Sequence, residues 1–222
     1  MVVALATDSD LDELRLFLLT EHHETVDPAR LTYVRDELER IVSDGVCGPV
    51  VELGCYRGAM TLWMRAVLDA RGDDRPIHVF DSFEGLPDTT EEDEIVMPSG
   101  VFACSADDLL AAFDTWRKRP PQIHPGWFDT TLADGLPDRI AFGYLDGDLY
   151  SSTLVSLAEC VPRLAPGGAL IIDDYTDPCA AAGTVAPFPG VKAACDAYFE
   201  GRSPVESLPG GVAYGRFRRE RG

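Results

Sequence analysis

Two short apolar runs in this chain end abruptly in carboxylates. Ala141-Phe142-Gly143-Tyr144-Leu145 delivers Asp146 and Asp148, and Ala169-Leu170-Ile171-Ile172 delivers Asp173 and Asp174. Carboxylates brought within a few ångströms of one another repel unless a cation or shared protons neutralise them. An all-oxygen cluster suits a hard ion such as Mg²⁺ rather than zinc. The same aspartates could instead serve only as helix caps.

The elements that must position them follow from the pattern. Runs that are apolar throughout read as parallel strands buried on both faces. Between them, Ser151 to Leu164 opens with hydroxyl residues suited to capping, and Leu154, Leu157, Ala158, Val161 and Leu164 give it one apolar helical face. Pro166-Gly167-Gly168 supplies its expected stop. Such a β-α-β unit puts both strand ends on one rim, where open α/β sheets bind ligands.

A second chemical signal lies upstream. The strand Val50-Val51-Glu52-Leu53 runs into Gly54-Cys55-Tyr56-Arg57-Gly58, and a helix continues to Ala70. Glycines let a ligand approach the backbone, and the helix start offers unpaired N–H groups and a positive dipole end. The next strand, Ile77 to Phe80, ends in Asp81, placed to accept hydrogen bonds from ribose hydroxyls. Strand, glycine loop, helix, strand and acid together favour a nucleoside ligand, against the alternative of a simple turn.

Bulk properties bound the rest. The 222 residues, 45% of them hydrophobic, suit one sizeable α/β domain. The net charge of −19, from 38 acidic against 19 basic residues, and the lack of a basic stripe argue against nucleic acid. Six scattered cysteines with no close-paired spacing read as reduced thiols. No positive leader precedes Asp8 and no apolar run approaches the ~20 residues that cross a bilayer, so a soluble, cytoplasmic protein with no membrane partner is expected.

Helical spacing over 9–24 and from Asp27-Pro28 to Ser43 marks an N-terminal helical appendage, 1–44, ahead of a Rossmann-like domain over 45–222. Such appendages often mediate self-association, so a homodimer is expected. The acidic run Asp88 to Glu94 reads as a mobile flap or a solvated loop. A helix spans Asp107 to Arg117, and Pro125-Gly126-Trp127-Phe128 forms a rim segment whose aromatic surface could stack on a base or fill the core. Thr176 to Gly190 reads as a loop beside the carboxylates, Val191 to Phe199 as a helix, and 205–217 as a closing antiparallel β-hairpin.

Taken together, Val51-Glu52-Leu53-Gly54-Cys55-Tyr56-Arg57-Gly58, Phe80-Asp81-Ser82-Phe83-Glu84-Gly85-Leu86-Pro87, Gly126-Trp127-Phe128-Asp129-Thr130-Thr131-Leu132, Leu145-Asp146-Gly147-Asp148-Leu149-Tyr150 and Ile172-Asp173-Asp174-Tyr175 resemble the macrocin-type sugar O-methyltransferases. The resemblance implies a class I methyltransferase fold, mostly parallel, and the cofactors S-adenosylmethionine and Mg²⁺. It places Gly54, Tyr56 and Gly58 around the methionine part and Asp81 and Ser82 at the ribose; Glu52, Thr61, Gly126 and Trp127 complete the expected cofactor set. Asp146, Asp173 and Asp174 match the magnesium ligands. Beside that family the N-terminal region is short and the loop from Thr176 to Gly190 is long, and both shape the acceptor pocket.

The expected function is therefore methylation of a deoxysugar hydroxyl on a glycosylated natural product in antibiotic biosynthesis. Asp146 is expected to take the proton and Asp148 to support it. A catechol-like or other vicinal-oxygen acceptor is the alternative within the class. A nicotinamide-dependent oxidoreductase would carry the three-glycine fingerprint, which is missing here. A non-catalytic nucleoside-binding protein would have no use for intact metal acids.

Overall fold

A computed structural model describes residues 8–177, 187–201, 204–208 and 214–221. In chain order the elements are α1 (Asp8–Glu21), α2 (Pro28–Ser43), β1 (Val50–Leu53), α3 (Ala59–Ala70), β2 (Ile77–Asp81), a one-turn 3₁₀ helix (Glu91–Asp93), α4 (Ala106–Thr115) and β3 (Gln122–Pro125). They continue with α5 (Phe128–Gly135), β4 (Ile140–Leu145), α6 (Tyr150–Arg163), β5 (Leu164–Asp173), α7 (Pro189–Tyr198), β6 (Glu206–Leu208) and β7 (Tyr214–Arg218).

The sheet order is β3-β2-β1-β4-β5-β7-β6. The first five strands are parallel, whereas β7 runs antiparallel between β5 and β6. Register is what builds the site. Leu53 pairs with both Phe80 and Leu145, and Leu145 pairs with Ile172. The next residue of each strand, Gly54, Asp81, Asp146 and Asp173, therefore emerges along one carboxyl edge.

Side-chain alternation across the buried strands feeds two core layers. One holds α1, α2, α3 and α4, with Trp63, Met64 and Phe113 against Val50, Phe142 and Tyr144. The other holds α5, α6 and α7, with Leu132, Leu157 and Val191 against Val51, Phe80 and Ile172. The N-terminal helices are built into the first layer: Leu14, Leu18, Leu31 and Leu38 are buried there, and the Trp63 indole donates to the Leu31 carbonyl at 2.8 Å. Helix α2 begins where its residues predict, because Asp27 accepts from Ala29 N at 2.8 Å and Arg30 N at 3.1 Å and Pro28 occupies the first turn.

The structure corrects several sequence expectations. Pro166-Gly167-Gly168 does not stop α6 but lies inside β5, beside a register shift at Ile140/Phe142 and with Gly167 at φ 82°. The hydroxyls Ser151 and Ser152 do not cap α6: no side chain of its N-cap residue does so, and Tyr150 N donates instead to Asp93 Oδ1 at 2.6 Å. Asp93 is 1% exposed, so the acidic run read as a mobile flap or a solvated loop is anchored at this point. The segment leading to Trp127 is the edge strand β3 followed by α5. The hairpin strands are present as β6 and β7, while their turn, 209–213, and positions 178–186 of the expected loop lie outside the described residues. None of the described helices is long and apolar enough to cross a membrane.

Candidate active site

A cavity of about 360 Å³ opens on the carboxyl edge of the sheet. Its first wall is the turn after β1. Gly54, at φ 84°, runs so close to β4 that a Cβ there would sit 1.9 Å from the Asp146 carbonyl oxygen, so glycine is required. Gly58 caps α3 at φ 78° with no side-chain bond to the first helical N–H groups. Asp81 fastens this turn to β2: Oδ2 accepts from Cys55 N at 2.8 Å and Tyr56 N at 3.0 Å, and Oδ1 accepts from Phe83 N at 2.8 Å.

Of the expected cofactor set, Glu52, Gly54, Tyr56, Asp81, Ser82 and Trp127 line the cavity. Gly58, Thr61 and Gly126 do not line it. Thr61 is fully buried and donates its hydroxyl to Glu52, and Gly126 N donates to the Asp81 carbonyl at 2.9 Å. Ser82 is engaged in its own turn, donating to the Gly85 carbonyl at 3.0 Å. Burial pushes the Glu52 carboxyl up to about 8, with Asp81 adding to the shift and the Thr61 hydroxyl opposing it.

The opposite wall is acidic. Asp146, Asp148 and Asp174 each offer an oxygen, and these lie within 4.8 Å of one another. Of the expected ligands, Asp146 and Asp174 come together here with Asp148, and Asp173 is the neighbouring charge that acts most on all three. Burial and the neighbouring acids push the Asp146 carboxyl well above the usual range, Asp148 up to about 7 and Asp174 up to about 9. Tyr56, Asp148 and Asp174 hold φ of 47°, 56° and 57°, backbone conformations that cost non-glycine residues energy and collect at functional sites.

Asp173 faces a cation that sequence reasoning missed. Arg30 of α2 places Nη2 2.9 Å from Asp173 Oδ1, with the Asp173 side chain buried and that of Arg30 mostly so. Tyr144 stands beside this pair, fully buried. Arg30 Nε, Tyr144 Oη, Asp173 Oδ1 and Thr176 Oγ1 are all buried without aligned hydrogen-bond partners among the described residues. A lone arginine on a helix gives no sequence signal of this kind. Tyr144 had one: it precedes Asp146 by two strand residues, so alternation puts both side chains on the same face. Glu24, Thr25, Val26, Phe102 and Phe188 also line the cavity and were not foreseen.

A mostly parallel sheet with one antiparallel strand inserted beside β5, a glycine turn after β1 and acids at the ends of β2, β4 and β5 define the class I methyltransferase fold. The chain belongs to the macrocin-O-methyltransferase (TylF) family, whose model matches residues 20–190. It is 40% identical over 168 residues to the 8-demethyl-8-(2,3-dimethoxy-alpha-L-rhamnosyl)-tetracenomycin-C 4'-O-methyltransferase of Streptomyces olivaceus, covering 71% of this chain and 64% of that protein. It is 33% identical over 163 residues to the demethyldecarbamoylnovobiocin O-methyltransferase of Streptomyces niveus, covering 69% and 62%. The chain thus spans less than two thirds of the length of these relatives. Among solved structures, the O-methyltransferase NovP superposes with a TM-score of 0.75 at 29% identity, covering 87% of this chain and 80% of NovP.

Proposed function

We propose that this protein is an S-adenosylmethionine-dependent O-methyltransferase acting on a hydroxyl of a deoxysugar carried by a natural product, and that it holds Mg²⁺. The observation that carries the reading is the shared cavity: a glycine turn and a cluster of mutually repelling carboxylates face each other across it. Thr176 Oγ1, buried without an aligned hydrogen-bond partner among the described residues, fits the same reading. Each such group costs about 1–3 kcal/mol unless a ligand or ion meets it. The sugar acceptor follows from the named activities of the relatives.

Asp146, Asp173 and Asp174 would hold the metal, with Asp148 beside them. When bound, Mg²⁺ supplies positive charge that orients two neighbouring acceptor oxygens and lowers the pKa of one of them. The chain's own groups do the rest. Gly54 lets the methyl donor approach the backbone, and the open N–H groups at the start of α3 suit its carboxylate. The Trp127 face offers a stacking surface. Methyl transfer is an in-line displacement, so the two walls must hold donor and acceptor about 3–3.5 Å apart. Asp146, beside the acceptor oxygen, takes the proton released by the acceptor hydroxyl.

Isothermal titration with S-adenosylmethionine and its demethylated product, with Mg²⁺ or with EDTA, tests the reading. It is followed by turnover with glycosylated and with catechol acceptors. Micromolar binding and metal-dependent methylation of a glycosylated acceptor are expected. Absence of binding under both conditions removes the methyltransferase reading, and turnover of catechols alone replaces the acceptor class.

A further inference from the structure

Arg30 is used by no step of the proposed reaction, yet the molecule holds it with unusual care. Its backbone N–H is fixed by Asp27 Oδ1 at 3.1 Å, and Nη1 donates to the Thr25 carbonyl. Its guanidinium carbon sits 5.3 Å from the centroid of the Tyr214 ring. The Tyr214 hydroxyl in turn donates to the other oxygen of Asp27. The α2 start, β7 and the end of β5 therefore all converge on one side chain. Thr25 and Val26, immediately before α2, line the cavity with it.

A guanidinium stays charged at any pH the protein meets, and its contact with Asp173 is an ion pair rather than an aligned hydrogen bond. A fixed positive charge against a cluster of carboxylates opposes entry of a second cation and competes for the oxygen it touches. The geometry points to Arg30 as a built-in competitor of the divalent cation: it pairs with Asp173, lowers the metal affinity of the cluster, and couples metal occupancy to the cavity rim at Glu24–Val26. This rests on the metal reading above and adds to it a residue from the N-terminal helices. An arginine bound on one side to the acids and on the other to Thr25 cannot respond to an arriving cation without disturbing the rim.

Mn²⁺ is the probe, because its binding can be followed by electron paramagnetic resonance without turnover. Arg30→Met keeps most of the stem and removes the charge, and should tighten Mn²⁺ at least about tenfold, whereas Arg30→Lys should stay within about threefold of the parent. Hydrogen exchange on the unmutated protein supplies a measurement that needs no variant. Added Mn²⁺ should speed exchange of the amides from Thr25 to Leu31, as Arg30 loosens from Asp173. Unchanged or weaker Mn²⁺ binding by a folded Arg30→Met overturns the proposal, as does an exchange pattern at 25–31 indifferent to Mn²⁺. A parent protein that binds no Mn²⁺ at all removes the metal reading itself, which is a different failure.

Discussion

The two walls of the cavity use the same side chain in opposite ways. On the β1–β2 side, Asp81 is surrounded by backbone N–H groups from Cys55, Tyr56 and Phe83, so its charge is matched by fixed dipoles and the turn is complete as the chain folds. On the β4–β5 side, Asp146, Asp148 and Asp174 face one another, and the nearest fixed cation, Arg30, contacts Asp173. One wall is preorganised by the protein alone. The other is arranged so that an added cation improves it.

The contrast breaks most visibly at Asp146. Asp146→Asn should lower turnover by about 10³-fold, within the range for loss of a general base, while S-adenosylmethionine affinity stays within about threefold. Parallel loss of both, by titration and initial rates, would mean that the two walls do not work separately.

A second test uses one substitution at both walls and reads its sign. Asp81→Asn replaces a carboxylate acceptor of three N–H bonds with an amide that can turn only one oxygen to them. It should cost about 2 kcal/mol, or about 4–8 °C in thermal midpoint. Asp174→Asn relieves like-charge repulsion and should raise the midpoint of EDTA-treated protein by about 2–4 °C, an advantage that saturating Mg²⁺ abolishes. Changes of the same sign at both positions would erase the distinction.

A last test, whose effect is smallest near pH 5, concerns Glu52. Its carboxyl is pushed up to about 8 in the folded chain from an ordinary value of 4.5, so the folded state keeps a proton that the unfolded chain releases. The stability it contributes is present in full below the ordinary value and is lost as pH rises through about 8. Glu52→Gln, which stays neutral, should match the parent near pH 4 and exceed it by about 2 °C near pH 5, with the gap widening until it levels off above pH 8. Parallel melting curves across that interval would mean that Glu52 is ionised throughout.

Much of this arrangement was legible in the residues. Val50–Leu53 is an apolar run with an acid inside it, bounded by Pro49 and Gly54, and it forms β1 over those same positions. The acid-ended strands were readable because burial on both faces leaves no polar residue to blur them. Edge strand β3 was not, since Gln122 and Pro125 are exposed and His124 is only half-buried, so no apolar run marks it. Helix α5 buries only Leu132 and shows no apolar stripe. Asp93 and Arg30 were missed for a different reason: each acts on an element far away in sequence, on Tyr150 and Asp173, and nothing local announces such a partner.

The bond from Tyr214 to Asp27 joins residues 187 positions apart. Its consequence is one of timing. Closing so long a loop comes late for a chain made from its N-terminus, because β7 must first slide in beside β5. Until residue 214 has emerged, Arg30 lacks the ring beneath it and Asp27 lacks the hydroxyl that steadies it. A strand made last therefore completes the support of a side chain made near the start, and the edge of the cavity is not fully braced until the whole sheet has assembled.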